Sequence, residues 1–166
     1  MRQYIVFFCI ALSAFFCECT SQQVNIEAFT HPYDLEQVPI YSMPNKFYSY
    51  LQSDTEAGWI ITVKRQRAGY FYVKLADDCY LSKKHIWLKA GTLGCVIQDY
   101  DSIRVPMYVS ADTLSNKVLY IYTSTIGSIY DIKKEMILLS IKSGDKEVQG
   151  WVEKKYLCGN PYTTCN

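Results

Sequence analysis

Cys79, His85 and Cys95 lie close together in the chain, and they are the residue types a thiol hydrolase uses. Such an enzyme needs a sulfur nucleophile and an imidazole to take its proton. No local signature of a catalytic cysteine surrounds either thiol, and an oxidised cysteine is not a nucleophile. Paired carboxylates are the second chemistry on offer. Asp77-Asp78 and Asp99 with Asp101 could serve a glycosidase or a calcium site. No EF-hand spacing surrounds them, and adjacent aspartates in a turn ordinarily face water. His31 and His85 are the two histidines, and no close-spaced Cys/His clusters prefigure zinc. There is no phosphate-cradling glycine loop and no dinucleotide fingerprint. The expectation is a protein that is not an enzyme, with no catalytic residue, no metal and no cofactor.

Aromatic side chains are the stronger signal, with 15 tyrosines and three tryptophans in 166 residues. Tyr and Trp bury apolar area while keeping a polar tip, which suits shallow recognition surfaces. The candidate ligand-binding residues are Tyr41, Tyr108, Tyr120, Tyr122, Trp151 and Tyr156. The competing expectation for each is packing in the core of a small domain.

The elements that would position these residues read as β-structure. Tyr70-Phe71-Tyr72-Val73-Lys74-Leu75 puts Phe71, Val73 and Leu75 on one face and Tyr70, Tyr72 and Lys74 on the other. Lys117–Tyr122 is rich in strand formers, and Glu135–Lys142 reads as a buried strand. Ser143-Gly144-Asp145-Lys146 signals a hairpin, and Lys64-Arg65-Gln66-Arg67 a solvated hairpin tip. Glu153–Leu157, cut short by Gly159 and Pro161, suits one 3₁₀ turn.

The segments also repeat. Val38-Pro39-Ile40-Tyr41 recurs 67 residues later as Val105-Pro106-Met107-Tyr108, and Ile86-Trp87-Leu88-Lys89 recurs 64 residues later as Gly150-Trp151-Val152-Glu153. A less regular match relates Trp59–Lys64 to Ile137–Lys142. A duplicated all-β chain is therefore expected.

Charge and cysteine usage set the compartment. Net charge is +1, without the basic excess of a nucleic-acid binder, so nucleic acid is not expected as a partner. Tyr4–Phe16 is an uncharged run behind Arg2, too short to span a bilayer and suited to an export signal over 1–21. A cysteine at the end of this segment, Cys17 or Cys19, is a candidate for lipidation, which would tether the chain without making it span. Four cysteines remain beyond it, an even number in an exported chain. Cys158 and Cys165 flank a turn-forming Gly159-Asn160-Pro161 segment, and a bridge there would contribute about 2.5 kcal/mol on the chain-entropy model. Cys79 and Cys95 then pair with each other or stay buried and reduced.

A first strand reading Val-Pro-x-Tyr, a central apolar strand and a late Gly150-Trp151-Val152 before a short turn resemble bacterial SH3-like domains. The segment Gly150–Cys165 is similar to the tail of small exported SH3-domain proteins of Bacteroides-type bacteria. The first copy departs from the pattern at Ile86, where glycine is usual. The resemblance implies two tandem small SH3-like barrels: an extended lead-in over 22–37, a first barrel over 38–93, a connector over 94–104 and a second barrel over 105–166. It also implies a binding role toward a peptide, a peptidoglycan fragment or an envelope protein, in the periplasm or cell envelope. The alternatives are a self-associating spacer at the cell surface and an envelope hydrolase or its inhibitor.

Overall fold

A computed structural model describes residues 22–30, 37–52, 58–75, 77, 79–98 and 104–160. The segment 1–21 expected to be an export signal, with Cys17 and Cys19, lies outside the described residues, as do His31, Asp78, Asp99, Asp101 and Cys165. The fold is all-β. Its strands are β1 (Gln22–Thr30), β2 (Gln37–Met43), β3 (Lys46–Gln52), β4 (Ile60–Arg67), β5 (Tyr70–Leu75), β6 (His85–Lys89) and β7 (Leu93–Ile97). They continue with β8 (Val105–Tyr108), β9 (Lys117–Ile121), β10 (Thr125–Lys133), β11 (Met136–Ser143), β12 (Lys146–Glu153) and β13 (Leu157–Cys158). The expected 3₁₀ turn is present at Lys154–Tyr156. No described helix is long and apolar enough to cross a membrane.

All described strands join one antiparallel sheet in the order β3-β2-β6-β5-β4-β1-β7-β10-β11-β12-β8-β9, with β13 beside β7. Two closed barrels were the expectation. The hydrogen-bonded path is instead open, ending at β3 and β9.

That order is the same read from either end: each strand of the first half has its counterpart six strands later. The registers agree as well. Phe29 lies opposite Ile60 as Val96 lies opposite Ile126. Val63 lies opposite Val73 as Ile129 lies opposite Leu139. Tyr41 lies opposite Trp87 as Tyr108 lies opposite Trp151. Register shifts fall at matching places, between Val63 and Arg65 and between Ile129 and Asp131, then between Ile40 and Tyr41 and between Met107 and Tyr108. A bulge admits an extra residue and re-aims the side chains beyond it, so matching bulges keep the two faces equivalent. The match of Trp59–Lys64 to Ile137–Lys142 was out of place, because β4 corresponds to β10 and not to β11. Both runs are apolar, and periodicity alone cannot fix which strand of a sheet an apolar run becomes.

The described residues 22–30 of the expected lead-in and 94–97 of the expected connector belong to sheet strands. Val24, Ile26 and Ala28 of β1 enter the core, and β1 pairs with both β4 and β7. The connector contains most of β7, all of whose residues are buried. Thr30 and Phe29 of β1 face Leu93 and Gly94 of β7, and Ile97 and Val96 of β7 face Leu157 and Cys158 of β13. Thus β7 stands to β1 as β13 stands to β7. It is the closing strand of the first set and the opening strand of the second. One cluster of buried side chains, from Val24 to Val152, runs through both sets. Gln66 of β4 adds a polar tie, accepting from the Ile132 amide of β10 at 2.9 Å.

Candidate functional site: an aromatic row across the first half

The two-residue turns at Pro44-Asn45 and Ala68-Gly69 have positive φ at Asn45, Ala68 and Gly69, the geometry that lets a tight hairpin follow strand twist. These hairpins bring five strands side by side. Directly opposed residues share a sheet face, and successive pairings give Phe47–Tyr41–Trp87–Tyr72–Arg65 across β3, β2, β6, β5 and β4. The ring contacts follow this row. Tyr41 meets Phe47 edge-on at 6.3 Å and Tyr70 at 5.0 Å, and Tyr72 lies 5.1 Å from Trp87. His85 stacks on Tyr72 at 5.6 Å, and the Arg65 guanidinium sits 5.3 Å from the centre of the same ring. Phe47 is 53% exposed, while Tyr41, Tyr72 and Trp87 are part-exposed. Partial burial, together with the neighbouring Tyr70 and Tyr50 phenols, holds the Tyr41 hydroxyl above the ordinary phenol range, so it stays neutral.

The equivalent row of the second half is Lys117–Tyr108–Trp151–Leu138–Asp131. Its environment is different. Between β8 and β9 runs a loop, residues 109–116, where the first half has only Pro44-Asn45. Ala111 of this loop, with Leu138 of β11, packs against the cluster formed by Tyr108, Met136 and Trp151. Tyr108 is left 6% exposed and Trp151 7%. Two of the expected ligand contacts, Tyr108 and Trp151, are therefore buried packing residues, because the chain covers them itself.

Tyr41 is in the open row. Tyr120 and Tyr122 are exposed near the β9 edge, where Lys117 lies 6.0 Å from the Tyr120 ring and Arg104 lies 5.4 Å from the Tyr122 ring. Tyr156 is part-exposed in the 3₁₀ turn, beneath Lys155 at 4.9 Å. The six candidates are not brought together into one site. Phe47, Tyr72 and Trp87 were missed. The repeat could have found Trp87, the counterpart of Trp151, and the alternation in β5 had already placed Tyr72 on the face away from the core.

The thiols are elsewhere. Cys79 and Cys95 are both buried and free, so of the two states expected for them the structure has the reduced one. They lie on different elements, Cys79 between β5 and β6 and Cys95 in the all-buried β7. Burial pushes the Cys95 thiol up to about 12, the opposite of what an activated nucleophile needs. Cys79 O accepts from Lys84 Nζ at 2.5 Å. Cys158 is fully buried, and Cys165, its expected partner, is one of the residues outside the described set. No group of three metal-ligating side chains occurs among the described residues.

No protein-family model matches the chain, and no curated protein matches it. Among solved structures, NlpC2 from Trichomonas vaginalis aligns at TM-score 0.31 and 10% identity, over 82% of this chain and 48% of that one. NlpC1 from the same organism aligns at TM-score 0.30 and 13% identity, over 83% of this chain and 47% of that one. The chain spans about half the length of either.

Proposed function

We propose that this chain is a non-enzymatic binding module of the cell envelope, built from two SH3-like units. It recognises a peptide, a peptidoglycan fragment or an envelope protein through an aromatic surface. The observation that carries the reading is the open row Phe47–Tyr41–Trp87–Tyr72 in the first half, set against the covered equivalent in the second. Rings with edges and faces exposed offer large contact area at small conformational cost, which is why aromatic residues dominate recognition patches. The shared strand order of the two halves and their two matching register shifts support the duplicated-unit reading. Export through segment 1–21, lipidation at Cys17 or Cys19 and the Cys158–Cys165 bridge belong to the same proposal.

Retention of the oxidised protein on sacculi and on immobilised envelope proteins tests the reading. The Phe47→Ser and Tyr72→Ser variants should keep the parent's unfolding free energy to within about 1–2 kcal/mol and lose retention by about tenfold or more. Undiminished retention by both variants removes the aromatic row from the mechanism.

The self-association alternative has its own support. The terminal strands β3 and β9 carry exposed Tyr48, Tyr50, Val118 and Tyr120, and an unpaired strand edge is a template for a second chain. A dimer in solution scattering that is broken by Tyr120→Lys would favour that reading; a monomer at all concentrations would exclude it.

A further inference from the structure

The second half contains a worked example of what can lie on this kind of row. Residues 109–116, Val-Ser-Ala-Asp-Thr-Leu-Ser-Asn, hold one acidic residue and no basic one. The segment packs Ala111 against the cluster of Tyr108, Met136 and Trp151, and its Asp112 and Thr113 line one cavity with Lys133 and Lys134. The Asp112 carboxylate turns back to accept from the Leu114 amide at 2.9 Å, while Lys133 stands 3.9 Å from Asp131 and 5.0 Å from the Trp151 ring centre.

The first half has no such segment, and its charges have changed. Positions on its row face hold Arg65, Arg67, Lys74, His85 and Lys89. Their register equivalents in the second half are Asp131, Lys133, Ser140, Gln149 and Glu153. With histidine neutral, the five positions carry +4 in the first half and −1 in the second. The described carboxylates of the first half are Glu27, at the far end of a row through Thr62 and Lys74, and Asp77, which pairs with Lys74 at 3.7 Å. Lys117 on the covered row stands where the open row has Phe47, which brings the covered face to zero and leaves the open face at +4, the more cationic of the two.

We propose that the open face binds a short acidic peptide segment of a partner protein, rich in small residues. It would lie where residues 109–114 lie in the second half, with a small side chain on Tyr41 and Trp87 and carboxylates toward Arg65 and Arg67. This rests on the binding-module reading and narrows its ligand class. Electrostatic complementarity of this kind sets partner choice and association rate more than raw affinity. Binding should therefore weaken as salt rises.

The test is a tryptophan-fluorescence titration of the full chain with a blocked peptide alternating alanine and aspartate. The charge-reversed alanine–lysine peptide and a neutral glycan oligomer are run in parallel. The aspartate peptide should bind and the lysine peptide should not. The double variant Arg65→Glu, Arg67→Glu should raise the dissociation constant by about tenfold or more. Lys142→Glu, an exposed charge at the end of β11 in the second half, should leave it within about twofold. Equal binding of both peptides, or an unchanged constant in the double variant, overturns the inference. So does saturable binding of the glycan with none of the aspartate peptide. In these cases the binding-module reading stands if the parent chain is still retained on sacculi or envelope proteins, and it falls with the inference only if that retention is also absent.

Discussion

Gly150 and Ile86 occupy the same register position in the two halves, and their opposite neighbours explain the exchange. A Cβ at Gly150 would collide with Met107 Cγ. In the first half the position equivalent to Met107 is the β-branched Ile40, and Ile86 fits beside it with both fully buried. The departure at Ile86 is thus half of a compensated pair and not a loss of the pattern. Gly150→Ala should destabilise by about 1–3 kcal/mol in urea unfolding, and adding Met107→Val should recover part of that loss. A neutral Gly150→Ala would refute the pairing. Cys95 makes a second prediction. Its thiol titrates near 9.0 when exposed and near 12 when folded, so the folded state favours the protonated form. Its contribution is intact below pH 9 and is lost as pH rises from 9 toward 12, with a limiting slope of about 1.4 kcal/mol per pH unit. Cys95→Ala should show a shallower decline of stability over that range, and parallel curves would refute the assignment. The sequence made the compensation partly legible, since Ile86 and Gly150 were already aligned. It did not show that Met107 and Ile40 were the cause, because side-chain interdigitation across strands has no local signature.

Hairpin connections separate the two faces more than the strands do. Pro44-Asn45 turns the chain in two residues, while residues 109–116 fold back over the rings. Replacing 109–116 by Pro-Asn should expose Trp151, read as increased acrylamide quenching and red-shifted emission, with a stability loss of about 1–3 kcal/mol from the contacts removed. Unchanged quenching would mean that the loop is not what buries the row. Strand existence and alternation were legible from sequence at this scale: Phe71, Val73 and Leu75 are buried as the period of two requires. Which aromatics lie open was not legible. Tyr108 and Trp151 obey the same pattern as Tyr41 and Trp87, and the path of the loop that follows Tyr108 distinguishes them.

For the whole molecule, a shared strand means that the chain cannot be divided at 94–104 as a linker. A fragment beginning at Asp99 lacks β7, against which β10 and β13 are built, and should be unfolded by circular dichroism. One beginning at Gly91 retains β7 and should recover β-structure. Recovery by both would show that β7 is dispensable to the second set. The complete chain should melt in one transition, consistent with the single buried cluster. Repeated segments were legible in the sequence but were spaced as separate beads, because β1 and β7 share too little composition to be matched: Ile26, Ala28 and Phe29 stand where Leu93, Cys95 and Val96 stand. After a duplication, two copies can ordinarily drift apart anywhere along their length. Here Leu93–Ile97 serves both copies at once, so a change there alters both together. Independent change is confined to what each copy owns alone, from paired core exchanges such as Ile86 for Gly150 to turns and outward-facing charges, and in the last two one face is closed and the other left open.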